Sequence, residues 1–214
     1  MTKALAFLLG AATALSLFPS PARAEDSSDE ATAIQTMHDF GSCVVAKSRF
    51  RAERLLKMMP GTSEEQKLAS EVSSPSCLGD DVELRFKAKF LRGAVAEAML
   101  KSDFGTIGSP AKRKTAPIFA ALTREQFSAL GQGGKTSMYI LDFATCIVGR
   151  DPASVDALFA TKPASPDENA AFNAMSGSFA PCAPAGTAFR IVKSQLRGFL
   201  AEAAYRKSVF ESSK

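Results

Sequence analysis

Apolar positions recur at helical spacing in four stretches of the chain. Met37, Phe40, Gly41 and Val44 stand at i, i+3, i+4 and i+7, and Ile140, Phe143, Ala144 and Ile147 repeat that spacing. Leu91, Ala94, Val95 and Ala98 form a second stripe, matched by Leu196, Phe199, Leu200 and Ala203. Taken alone, residues 33–47 are ambiguous and residues 137–148 are rich in β-formers; read side by side, both fit one helical face. A further helix is predicted after each. Asp151 and Pro152 supply an N-cap and a first-turn proline, Ser48 is the matching cap, and the helices stop at Pro60-Gly61 and Pro163. Ser63-x-x-Gln66 and Ser165-x-x-Glu168 match the capping box and open a third helix, running to about Val72 and Met175. The second cysteine of each half is then expected in a loop. Residues 82–86 and 188–192 read as short extended pieces that would pair, if at all, with each other.

These parallels come from one pattern met twice. Asp39-Phe40-Gly41-Ser42-Cys43-Val44-Val45 returns as Asp142-Phe143-Ala144-Thr145-Cys146-Ile147-Val148, offset by 103 positions. Leu91-Arg92-Gly93-Ala94-Val95-Ala96-Glu97-Ala98 returns as Leu196-Arg197-Gly198-Phe199-Leu200-Ala201-Glu202-Ala203, offset by 105. Between them Pro60 matches Pro163, Glu65 matches Glu168, Cys77 matches Cys182 and Arg85 matches Arg190. A near-constant offset over such a length is the mark of a duplicated unit. The expected fold is mainly α: two tandem disulfide-stapled helical repeats with pseudo-twofold symmetry, with at most a minor short-strand pairing. The expected boundaries are 1–24, 25–101, 102–135 and 136–214. The third of these is a connection with no partner elsewhere. It holds the basic Lys112-Arg113-Lys114, a short helix capped by Thr123 and Gln126, and a hinge at Gly131, Gly133 and Gly134.

The first 24 residues read as a signal peptide. Lys3 is followed by an apolar stretch from Ala4 to Phe18, then Pro19 and Pro21, then the small-x-small site Ala22-Arg23-Ala24. The mature chain would begin at Glu25, with residues 25–30 frayed, and would have no membrane span. Lys3 and Arg23 leave with the peptide, so 26 basic residues against 22 acidic become 24 against 22. That balance gives a nearly neutral field and no reason to expect nucleic acid. The sixteen Phe and absent Trp suit core filling. The expected location is periplasmic or secreted, and a periplasmic protein partner is compatible with it.

Four cysteines in an exported chain imply two disulfides. Three pairings are open, and pseudo-twofold symmetry permits all of them. Locality selects Cys43–Cys77 and Cys146–Cys182, because a unit that folded alone before duplication would close its own bridge. At Phe-x-x-Cys-Val-Val and Leu-Arg-Gly-x-x-Ala-Glu-Ala the chain resembles a set of uncharacterised exported bacterial proteins that carry similar pieces. The resemblance covers both repeats and not the connection. It implies export and repetition and brings no activity.

Candidate chemistry is thin. His38 is the lone histidine and its counterpart is Leu141, so a structural or surface role is expected. Neither a Gly-x-Ser-x-Gly elbow nor a phosphate-binding glycine loop occurs. No metal and no cofactor are expected. Glu97 and Glu202 occupy matching places, where a twofold axis would bring them together as a carboxylate pair; the blander expectation is an ion pair with a cation of the same unit. Arg85, Arg92, Arg190 and Arg197 would suit an anion site, since guanidinium forks grip carboxylates and phosphates. Against this, Asp39 and Asp142 are natural partners for Arg92 and Arg197. The reading is therefore a non-catalytic binding or structural protein, with a hydrolase or small-anion binder built on Glu and Arg as the alternative.

Overall fold

The computed structural model describes residues 22–72, 77, 87–112, 123–183 and 190–213, with side chains from residue 28 onward. Among these the chain is helical and contains no strand. The helices are α1 (Ala22–Lys47), α2 (Arg49–Lys57), α3 (Ser63–Val72), α4 (Ala88–Asp103), α5 (Arg124–Ala129), α6 (Gln132–Arg150), α7 (Pro152–Ala160), α8 (Pro166–Ala174), α9 (Phe179–Cys182) and α10 (Lys193–Ser212), with a 3-10 turn at Met175–Ser178.

Helix α4 packs against α10 and α1, while α10 also packs against α6. One hydrophobic cluster joins all four, from Met37 and Phe40 through Leu91 and Val95 to Ile147 and Leu200. Small residues let the long helices approach closely. A Cβ on Gly93 would stand 2.4 Å from the Gly198 Cα, and one on Gly41 would stand 2.7 Å from the Ala94 Cβ. Gly93 meets Gly198 in the first half of each helix, and Asp103 accepts from the Tyr205 hydroxyl at 3.0 Å near the far end of α4. The two helices therefore run side by side in the same sense.

The disulfides join Cys43 of α1 to Cys77 and Cys146 of α6 to Cys182 of α9, with Cα separations of 5.7 and 5.6 Å. They point to an oxidising compartment, extracellular or periplasmic. Among the described residues no helix is long and apolar enough to cross a membrane.

Local signals place several helix starts. Asp151 caps α7 through the Ser154 N–H, with Pro152 at the first position. Ser165 caps α8 through the Glu168 N–H. Thr123 and Gln126 form a complete capping box on α5. Other expectations need correction. The α3 cap is Thr62, whose hydroxyl accepts from the Glu65 N–H at 3.2 Å, not Ser63. Ser48 makes no side-chain cap. Cys182 ends a short helix and does not lie in a loop. Residues 25–30, expected to fray, continue α1. Only Gly131 precedes α6; Gly133 and Gly134 lie in its first turn, so they are not a hinge. The expected connection 102–135 starts inside α4 and ends inside α6. The C-terminal stretch remains helical to Ser212, with Ser208 and Val209 buried. Residues 1–21, Arg113, Lys114 and the extended piece 82–86 lie outside the described residues, as do 188 and 189; residues 190–192 are not strand.

Candidate functional site

Two guanidinium groups organise the interior. Arg92 on α4 and Arg197 on α10 are 2% and 0% exposed, so every donor needs a partner. Arg92 forks onto Glu202, Nε to Oε2 at 2.6 Å and Nη2 to Oε1 at 2.7 Å. Arg197 forks onto Glu97, at 2.8 Å for both bonds. Each arginine thus grips the carboxylate of the opposite long helix. These are the bidentate geometries that favour arginine over lysine.

The remaining donors bind the short helices. Arg92 donates to the carbonyls of Leu55, Leu56 and Met58 at 2.7–2.9 Å, closing the C-terminal end of α2. Arg197 donates to the carbonyl and hydroxyl of Thr161 at 3.0 and 3.2 Å, closing the end of α7. Orphan carbonyls and the negative end of the helix dipole favour a cation at both places. Arg92 then reaches Glu65 at 3.5 Å, and Arg197 reaches Glu168 at 2.9 Å. Those two glutamates each accept a backbone N–H from a left-handed residue in the preceding turn. Gly61 (φ +77°) donates to Glu65 at 2.7 Å, and Ala164 (φ 56°) donates to Glu168 at 2.8 Å. Lys101 and Arg206, one helical turn beyond Glu97 and Glu202, complete the set. With them the two guanidiniums balance the four carboxylates.

Electrostatics follow from this pairing. Burial alone would raise both long-helix carboxylates, but Arg197 outweighs it at Glu97 and Arg92 with Arg206 outweighs it at Glu202. Glu97 is held below its usual range and Glu202 falls to about 2. Glu65 goes the other way: burial lifts it, with Arg92 opposing. An ionised, doubly clamped carboxylate is a poor proton donor near neutral pH.

Several expectations therefore change. The partners of Arg92 and Arg197 are Glu202 and Glu97; Asp39 and Asp142 are exposed on α1 and α6. Each long-helix glutamate does pair with a cation of its own half, Glu97 with Lys101 and Glu202 with Arg206, and is also forked by the arginine of the other half. Glu97 and Glu202 do not form a carboxylate pair, because each is closed inside its own arginine fork. Arg190 is exposed and Arg85 lies outside the described residues, so the four arginines are not assembled into one anion site there. The sequence signal for Glu65 and Glu168 was present in their matching positions, but it pointed to a capping role for Glu168 and to none for Glu65.

Beside this cluster lies an open apolar cleft of about 520 Å³. Ala33, Ile34 and Met37 of α1 form one wall, and Phe90 and Ala94 of α4 form the other. The N-terminal part of α10 closes it with Ser194 and Gly198, and Glu30 and Lys87 stand at its edge. His38 also lines it, with Nδ1 3.5 Å from the Glu97 Oε2. Burial pulls this imidazole below its usual value, against Glu97, so near neutral pH it adds no charge. The cleft has the size and lining of a small-molecule site. No family model matches the chain, nor does any curated protein or solved structure.

Proposed function

We propose that the chain is an exported, periplasmic or secreted binding protein, and that it acts by holding an apolar ligand in the α1–α4–α10 cleft and not by catalysis. In this reading residues 1–24 are a signal peptide and the mature chain begins at Glu25. The two halves are tandem helical repeats about a pseudo-twofold axis through the Gly93–Gly198 contact. The reciprocal forks Arg92–Glu202 and Arg197–Glu97 support that symmetry.

One observation carries the functional reading. The repeated charges are spent on each other inside the core, while the neighbouring cleft is open and mostly apolar. A hydrolase or anion binder would need at least one of those groups turned toward solvent. None of Arg92, Glu97, Arg197 and Glu202 is more than 3% exposed. Their engagement favours a structural role, as expected for buried ions with every hydrogen bond made.

A neutral environment-sensitive dye, Nile red, tests this reading. Wild-type protein is expected to enhance its emission with one saturable site. Ala33→Trp, which adds bulk at an exposed position of the α1 wall, is expected to abolish that signal without changing the melting temperature. Absence of a saturable site in wild type, or unchanged binding in the variant, would remove the cleft from the account.

A further inference from the structure

The cleft differs from its sequence counterpart in two places that matter for occupancy. Ala94 stands where the second half carries Phe199, and His38 stands where it carries Leu141. Phe199 and Leu141 are both buried in the core. The first half thus lacks two large apolar side chains that the second half carries at matching positions, and the cleft lies there. Ile34 and Phe90 are half-buried in the wall beside the buried Met37, and leaving their remaining apolar surface in water is costly unless something apolar covers it.

The rim adds charge. Lys87 lines the cleft at the start of α4. Lys89 lies two residues on, with its Nζ 5.4 Å from the centre of the Phe90 ring, and Phe90 is a wall residue. Lys89 is half-buried: burial first, and then the repulsion of Lys87, pull its ammonium group below its usual value. An anion between them would relieve that repulsion. Glu30 is the carboxylate among the lining residues, and it is exposed on the opposite wall, on α1. Both α4 and α10 present their N-terminal ends here, through Lys87 and Ser194, so the helix dipoles act in the same sense as the lysines. The floor at His38 is uncharged near neutral pH.

We propose that the cleft takes a free single-chain anionic amphiphile, its alkyl part against Ile34, Met37, Phe90 and Ala94 and its head group between Lys87 and Lys89. This rests on the binding reading above and adds the ligand class to it. The alkyl part covers the partly exposed Ile34 and Phe90, and the head group supplies counter-charge to Lys87 and Lys89. A neutral lipid would fill the same space and leave the repulsion of Lys87 on Lys89 unrelieved.

Competition against Nile red with dodecanoate and with dodecanol, both below micellar concentrations, separates the two claims. Dodecanoate is expected to displace the dye at a one-to-one ratio. It should bind about tenfold tighter than dodecanol, the scale expected of one or two partly exposed ion pairs. The double variant Lys87→Gln/Lys89→Gln is expected to lose that advantage while keeping dodecanol binding and thermal stability. Equal affinity for the two probes, or a double variant that binds dodecanoate as wild type does, overturns the anionic class and leaves the cleft as a neutral site. Dye binding that neither probe displaces also overturns the proposal. Failure of the dye itself to bind counts against the cleft and hence against both.

Discussion

Replacing Gly93 by alanine sets two effects of opposite sign against each other. Within a helix, Gly→Ala gains roughly 1 kcal/mol through propensity. Against this, the new Cβ would lie 2.4 Å from the Gly198 Cα, 3.2 Å from its carbonyl carbon and 3.4 Å from its carbonyl oxygen. All three obstacles are backbone, so no rotamer change relieves them, and α4 and α10 must separate. Overpacking of this kind costs typically 1–3 kcal/mol. Separation also stretches the two forks, which bridge the same helices at 2.6–2.8 Å and are fully desolvated. The expected outcome is a net loss of about 2 kcal/mol or more. Gly198→Ala meets the Gly93 Cα at 3.0 Å, with the Gly93 N and the Lys89 O at an ordinary 3.9 Å, and should lose less. Urea and thermal unfolding of both variants measure this directly. A higher midpoint for Gly93→Ala would mean that the helices do not touch there and that the crossing described above is wrong.

Two other outcomes are expected. Acid should weaken the fold: Glu202 drops from 4.5 to about 2 on folding, so its contribution is complete above pH 4.5 and fades as pH falls toward 2, by about 3 kcal/mol in all. Glu65, raised by burial, acts in the opposite sense and only tempers the loss; a urea midpoint equal at pH 7 and pH 3 contradicts the pairing. Replacing Cys146 and Cys182 together by serine opens a loop with a sequence separation of 36 and should cost roughly 4 kcal/mol in the chain-entropy model. Equal stability of the oxidised and doubly substituted proteins would show that this bridge constrains nothing.

How far these features could be read from the residues depends on where the relevant force acts. Local forces were legible. The helical periodicity around Phe40 and Phe143, the Asp151-Pro152 start and the Thr123–Gln126 box need only neighbours in sequence. The repeated glycines were legible as a demand for close packing, since a helix-interior glycine has a cost that only a close approach offsets. Partner choice was not. Arg92 finds Glu202 across 110 positions because the parallel packing of α4 on α10 brings them together, and no spacing rule contains that packing. The α3 cap moved from Ser63 to Thr62 because adjacent hydroxyls compete for one position. Gly133 and Gly134 read as a hinge by composition, yet Gly61 packs against Gly134: a Cβ on Gly61 would stand 2.8 Å from its Cα. The cleft was the least legible feature. It is made by a side chain that is absent at Ala94 and by three helices that meet only in space.

The central claim is that the repeated arginines and glutamates staple the two halves together and perform no chemistry. A double-mutant cycle on Arg92→Met and Glu202→Gln, read by urea unfolding with the disulfides intact, tests it most directly. Each single variant should cost roughly 3–5 kcal/mol, because it strands a buried charge. The double variant should cost less than the sum by about 2 kcal/mol or more, and the dye site should survive wherever the protein folds. Single variants that unfold at the wild-type midpoint, or costs that simply add, would contradict the staple.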